Sequence, residues 1–194
     1  MSTHRRVSFD DEPLILVDAD DQIIGYQHKA QAHAGEGTLH RAFSIFLFNP
    51  QGQVLLQQRS DSKPLWPLFW SNSCCSHPRR GESYADATHR RLNDELAVDT
   101  ELEFIYQFEY HAKYQADARD IGSERELCSV YIGRIDDSQR IDVNPSEIAA
   151  CRWLSGPDTD ALLKEQPDQI TPWFAMEWRR LREEFPDRLE RLLR

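Results

Sequence analysis

The sequence predicts an α+β protein, an α/β/α sandwich on a mixed sheet, and three observations carry that reading. Short β-rich runs recur between residues 14 and 155, one well-capped helix interrupts them after a central hairpin, and helical patterns close the chain. Residues 14–18 and 22–27 are two such runs, separated by Ala-Asp-Asp, which signals a hairpin. Residues 28–40 read as a short helical piece ending at glycines, with His33 and His40 at its end. Residues 40–49 form a buried strand. The turn Asn49-Pro50-Gln51-Gly52 then returns the chain as residues 53–59, making a two-stranded hairpin. The segment 60–70 carries two prolines and two tryptophans, too rigid and aromatic for a linker.

Ser83 caps a helix that runs to Leu96, with Asp86 at the acid position of a capping box. Leu92 and Leu96 form its core stripe, and Arg91 and Glu95 project together from the neighbouring face. That pair reads either as part of a phosphate-handling site or as a solvated surface ion pair. Residues 101–114 and 126–135 are long β-type runs joined by a polar, glycine-containing connection at 115–125. A strand at 148–155 and a helix at 157–166 follow. Thr171-Pro172 opens a last helix that Pro186 kinks or stops, and residues 188–194 add an amphipathic turn or two. No repeat or linker divides the chain. A single domain over 1–194 is expected, with residues 1–12 flexible, a core from 13 to 180 and a terminal helix over 172–194.

Bulk properties narrow the function classes. At 194 residues and 40% hydrophobic content, with nine Phe and five Trp, the chain can bury a sizeable core without staples. A net charge of −10 argues against nucleic-acid or anionic-membrane partners, yet leaves room for a small anion held by a few focused cations. Cys74, Cys75, Cys128 and Cys151 make neither a disulfide framework nor a paired zinc motif, and no run of 18 apolar residues exists. A reduced, cytoplasmic protein is the expectation.

Three constellations can carry chemistry. Glu124 and Glu126 lie two apart in an extended segment, so both carboxylates share a face. With His33, His40 and His77 they would suit a six-coordinate Mn²⁺, Mg²⁺ or Zn²⁺, although seven histidines will also scatter near carboxylates without one. Lys29, Arg59, Lys63 and Arg91 sit near element ends, where they can clamp an anion or simply be solvated. Cys75 stands two before His77 in an aromatic surround, a nucleophile or proton carrier if it is not an inert buried thiol.

Taken together, these residues resemble a known family. S-N-S-C-C-S-H-P, G-E-S and R-R-L-x-x-E-L, with Lys29-x-x-x-His33, L-His40-x-A-F-S, Arg59-x-x-x-Lys63-x-x-W-P, F-E-Tyr110-H-A, Glu124-R-Glu126 and Pro172-Trp173, resemble type I isopentenyl diphosphate isomerase of the Nudix-fold superfamily. The resemblance implies a Nudix-type sandwich and reversible movement of the double bond between isopentenyl and dimethylallyl diphosphate. It implies Cys75 and Glu124 as the two proton-transfer residues on opposite faces of the substrate, with Tyr110 assisting beside Glu124. His33, His40, His77, Glu124 and Glu126 would hold Mn²⁺, Mg²⁺ or Zn²⁺. Glu95 and the carbonyl of Cys75 would hold a Mg²⁺ bridging to the diphosphate. Lys29, Arg59, Lys63 and Arg91 would grip that diphosphate, and Trp173 would line the hydrocarbon pocket. Such chemistry needs a dry slot, because water would trap a tertiary carbocation, and the indoles of Trp173 and Trp70 would stabilise that cation. A monomer or homodimer with a small-molecule isoprenyl diphosphate substrate is the implied form.

The chain departs from the Nudix hydrolase box G-x5-E-x7-R-E-U-x-E-E-x-G-U. Ser76 replaces its first glycine, Arg91 and Asp94 replace two glutamates, and Ala97 replaces its last glycine. The missing carboxylates remove the usual multi-metal activation of water, so hydrolysis of a diphosphate is the less favoured alternative. Ser76 and Ala97 take a positive φ less easily than glycine.

Overall fold

The structure is a computed structural model and describes residues 6–136 and 138–192. Its elements in chain order are β1 (Pro13–Val17), β2 (Ile23–His28), α1 (Lys29–Ala32), β3 (His40–Phe48), β4 (Val54–Arg59), β5 (Trp70–Ser71) and β6 (Cys74–Ser76). They continue as α2 (Tyr84–Leu96), β7 (Leu102–Ala116), β8 (Arg119–Arg134), β9 (Ile148–Leu154), α3 (Gly156–Glu165), α4 (Pro172–Glu184) and α5 (Pro186–Leu192).

Among the described residues the nine strands make one mixed sheet, with β3 as its axis. Along one edge β3 runs parallel to β8, from His40 opposite Glu126 to Phe48 opposite Arg134. Its other edge is shared in turn by β1 at His40, by β6 from Phe43 to Ile45, and by β4 at Phe48. The period of two in a strand then sorts the layers. Phe43, Ile45 and Leu47 face a core with Leu92 and Leu96 of α2, and Ala42, Phe46 and Phe48 face a core with Trp173, Phe174 and Trp178 of α4. Burying Leu92 and Leu96 contributes about 1.5–3 kcal/mol each. The expected α/β/α sandwich is therefore present. Glu177 of α4 is the polar exception on that side. Burial pushes its carboxyl up to about 8, so it stays protonated at neutral pH, and Cys128 Sγ donates to it at 3.5 Å.

Several local expectations change. The turn at Asn49 forms as read, with Asn49 Oδ1 accepting from the backbone N–H of Gln51 and Gln53. The β3–β4 ladder, however, ends at its first pair, Phe48 with Val54, because β6 occupies the next stretch of β3 and β4 turns to β9 and β5. The polar connection at 115–125 is strand: β7 and β8 continue to a two-residue turn at Asp117 and Ala118, with φ of 50° and 58°. Its polar residues reflect a hairpin arm reaching beyond the core. The helical piece at 28–40 shrinks to one turn, α1, and α5 begins afresh at Pro186.

Ala97 ends α2 in the left-handed region at φ 55°, doing without glycine what a helix C-terminus commonly uses glycine for. Residues 1–5, 193 and 194 lie outside the described residues, as does part of the segment expected to be flexible. From residue 6 onward the chain lies against the fold, and Val7 is 4% exposed.

Candidate active site

One cavity of about 320 Å³ gathers most of the chemistry-bearing side chains. Lys29, His33, Arg59, Lys63, Cys75, His77, Arg91, Tyr110, Glu124, Glu126 and Trp173 line it. Of the expected site residues only His40 and Glu95 lie behind its wall, each touching a residue that lines it. Strand register explains which thiol arrives. Cys74 pairs with Ile45, whose side chain belongs to the α2 core, and is itself 0% exposed. Cys75 pairs with Ser44, on the α4 face, and so opens to the cavity. Burial pushes the Cys75 thiol up to about 12, outweighing the guanidinium of Arg59, whose Nη1 lies 4.0 Å from the sulfur. At neutral pH the group is a thiol.

The three histidines come from α1's end, the start of β3 and the end of β6. Their rings lie 4.9 to 5.4 Å apart. His40 Nδ1 faces Thr38 O at 2.7 Å, and His33 Nδ1 lies 3.2 Å from Ser123 O and 2.8 Å from Glu124. Those contacts turn the Nε2 atoms of His33 and His40 inward, where both are buried without a hydrogen-bond partner. Ligand atoms of His33, His40, His77 and Glu124 all lie within 4.8 Å of one another. Glu126 completes the ring, 3.0 Å from His77 Nε2 and 3.6 Å from His40 Nε2. Burial, then His40 and Lys29, holds His77 well below its ordinary value, so it is a neutral imidazole. Buried unpartnered nitrogens and a converging carboxylate fit a divalent cation, whose binding would satisfy all of them at once.

Backbone approach makes the cage possible. Ser123 N–H donates to His33 O at 2.9 Å, and a Cβ on neighbouring Gly122 would come within 2.6 Å of that oxygen. Tyr110 also differs from expectation. Its hydroxyl donates to Glu126 at 2.6 Å, because Tyr110 pairs with Glu126 across β7 and β8. Burial would raise the Glu126 carboxyl, but His40 and Tyr110 hold it below its usual value. Of the two candidate tyrosines, Tyr110 lines the cavity while Tyr114 packs against Trp66, ring centroids 5.1 Å apart.

The opposite end of the cavity is cationic. Arg91 and Glu95 are a buried pair, each 2% exposed, and not the solvated one that spacing also allowed. Arg91 Nε donates to Glu95 at 2.9 Å and Nη2 to Glu147 at 3.1 Å, and Lys63 also bonds Glu147. Burial would raise Glu147, but Lys63 and Arg91 hold its carboxyl down to about 2. Sequence reasoning missed Glu147. Its only local signal is an acid at the start of a buried strand, 56 residues from Arg91. Arg59 spends its guanidinium on the carbonyls of Leu65 and Trp66 and lies 5.2 Å over the Trp173 ring. Trp173 is 2% exposed, with Trp66 edge-on at 5.2 Å. Trp70, by contrast, is half-buried beneath the guanidinium of Arg152 at 3.9 Å.

Burial, with Lys63 and Arg91 nearby, pushes the Lys29 ammonium down to about 8. It carries its charge below that pH and loses it above, so anion binding weakens as pH rises. The KM for a diphosphate substrate is expected to rise up to about ten-fold between pH 7 and pH 9. Lys29→Arg, which cannot lose its proton, should flatten that rise. A profile equally flat in both proteins would remove Lys29 from the anion site.

Comparison with known proteins follows the same lines. The sequence pattern of the NUDIX domain family matches residues 38–174. The chain is 40% identical over 169 residues to Isopentenyl-diphosphate Delta-isomerase 1 of Photorhabdus laumondii, a match covering 86% of this chain and 93% of that one. It is 42% identical over 175 residues to Isopentenyl-diphosphate Delta-isomerase of Halorhodospira halophila, covering 90% and 95%. Among solved structures it resembles DR0079 from Deinococcus radiodurans, with a TM-score of 0.70 and 25% identity over 87% of this chain and 98% of that one. The MutT protein from Methanosarcina mazei shares the fold at a TM-score of 0.56 and 14% identity, over 79% and 94% of the two chains.

Proposed function

The chain belongs to the isopentenyl-diphosphate Delta-isomerases of the Nudix family, and on that premise we propose how its cavity moves the double bond. The enzyme interconverts isopentenyl and dimethylallyl diphosphate. The observation that carries the mechanism is convergence: a protonated thiol, a carboxylate cage and a cationic pocket share one cavity. Cys75 on β6 and Glu124 on β8 reach it from opposite edges of β3. One adds a proton to the terminal methylene, and the other removes one from the carbon next to the diphosphate-bearing carbon. Because the reaction is reversible, each is the acid in one direction.

Trp173 faces the reacting carbons, where a desolvated cation over its ring gains about 2 kcal/mol. Tyr110 acts through Glu126, fixing its carboxylate rather than sitting beside Glu124. Lys29, Lys63 and Arg91 bind the diphosphate, while Glu147 and Glu95 hold the last two of these in place. Arg59 braces the loop against Trp173 and keeps a positive edge toward the thiol.

His33, His40, His77, Glu124 and Glu126 would hold Mn²⁺, Mg²⁺ or Zn²⁺, whose charge would make Glu124 a weaker base and a readier proton donor. Arg91 bonds Oε1 of Glu95, so Oε2 of that carboxylate is the atom that would hold a second cation, Mg²⁺, at the diphosphate. No helix among the described residues is long and apolar enough to cross a membrane. All four cysteines are free, which suits a reducing cytosol.

Deuterium from heavy water is the direct test. Incubation with isopentenyl diphosphate should label both recovered isomers without release of phosphate. Pyrophosphate or monophosphate release with no label would favour a hydrolase instead.

A further inference from the structure

Arg91 makes an uneven use of its five N–H donors. Nε–H goes to Glu95, the two on Nη2 go to Glu95 and Glu147, and one on Nη1 goes to the carbonyl of Val7 at 3.0 Å. Among the described residues that leaves one N–H, on the same nitrogen that grips Val7. By gripping Val7, that nitrogen brings the next residue in the chain to the same cavity. That residue is Ser8. It lines the cavity, and its hydroxyl oxygen is shielded from solvent without a hydrogen-bond partner. A buried hydroxyl with nothing to bond is costly unless a ligand supplies the acceptor.

The segment that carries Ser8 is held at several points. Arg6 Nε donates to Ser8 O at 2.9 Å, Ala30 N–H donates to Asp10 O at 3.0 Å, and Lys29 N–H donates to Glu12 O at 2.9 Å. It is thereby fixed across the cationic end of the cavity, between Lys29 and Arg91. Asp10, on the same segment, also lines the cavity, but its side chain is 77% exposed and 3.9 Å from Arg6, so solvent and that cation weaken its repulsion of an anion.

We infer that residues 6–12 complete the diphosphate site, with the Ser8 hydroxyl donating to a phosphate oxygen held beside Nη1 of Arg91. This rests on reading the cavity as a diphosphate site. Ser8 is then a substrate-binding residue supplied by a segment that precedes the first strand, and Arg91 is both the clamp for the anion and the anchor for that segment.

The test is calorimetric binding of inorganic pyrophosphate, with Mg²⁺ present, to the metal-loaded protein, alongside steady-state kinetics. Ser8→Ala should weaken pyrophosphate about ten-fold and raise KM by a similar factor, with the loss falling on KM rather than kcat. Ser8→Thr, which keeps the hydroxyl, should restore most of the affinity. Wild-type protein that binds pyrophosphate, with Ser8→Ala binding it equally well, would overturn the inference alone. Equal losses in Ser8→Ala and Ser8→Thr would overturn it too, assigning the effect to packing of the segment. Wild-type protein that binds no pyrophosphate would overturn the diphosphate reading and this inference with it.

Discussion

Cys75→Ala is expected to lower kcat about 10³-fold while leaving a folded, metal-loaded protein, because it deletes one of two proton-transfer groups. The side chain is small and partly exposed to the cavity, so little packing is lost with it. Dimethylallyl diphosphate formation and deuterium incorporation should fall together. The melting temperature and bound metal should stay near wild type. Cys74→Ala is the informative contrast. That thiol is 0% exposed in the α2 core and does not itself line the cavity, so its loss should lower stability and spare turnover. Turnover within ten-fold of wild type in Cys75→Ala would sink the proposed chemistry.

Removing the cation from the histidine and glutamate cage should abolish activity and lower the melting temperature. The structure places two imidazole nitrogens there, buried and without hydrogen bonds, beside the carboxylates of Glu124 and Glu126. Without a cation these groups are uncompensated, and a ligand that binds only the folded state stabilises it by mass action. His77→Gln is expected to lower metal affinity by more than the roughly 10–100-fold typical of outer-shell substitutions. Elemental analysis and thermal melts after chelation, with Mn²⁺, Mg²⁺ and Zn²⁺ added back singly, measure occupancy apart from turnover. Fully active protein with no bound metal would remove the cage from the mechanism.

Much of this site was legible before any coordinates. Glu124 and Glu126 share a face by the period of a strand, and Arg91 and Glu95 share one by the pitch of a helix. Those are local rules, and they held. Lys29, Arg59, Lys63 and Arg91 stood out as a group near element ends, but their spacing alone did not distinguish an anion clamp from solvated charges, and only the family resemblance favoured the clamp. Glu147 was invisible for the same reason. Its partners Lys63 and Arg91 lie 84 and 56 residues away, and a carboxylate shows its burial only when the chain is folded over it. Ser8 lay in a segment expected to be loose, because polar composition says nothing about a backbone carbonyl that an arginine elsewhere will hold.

The sequence by itself determined most of the elements, the layers and which residues were candidates for the site, since periodicity, caps and motifs are properties of neighbouring residues. Tertiary structure decided which thiol faces the cavity, where Tyr110 points and whether the Arg91–Glu95 pair is buried. It also decided that β4 leaves β3 after one pair and that residues 115–125 form a hairpin arm. The physical reason is common to all of these. Each depends on strand register or on contacts between distant segments, and a shift of one residue in register would send Cys74 instead of Cys75 into the cavity.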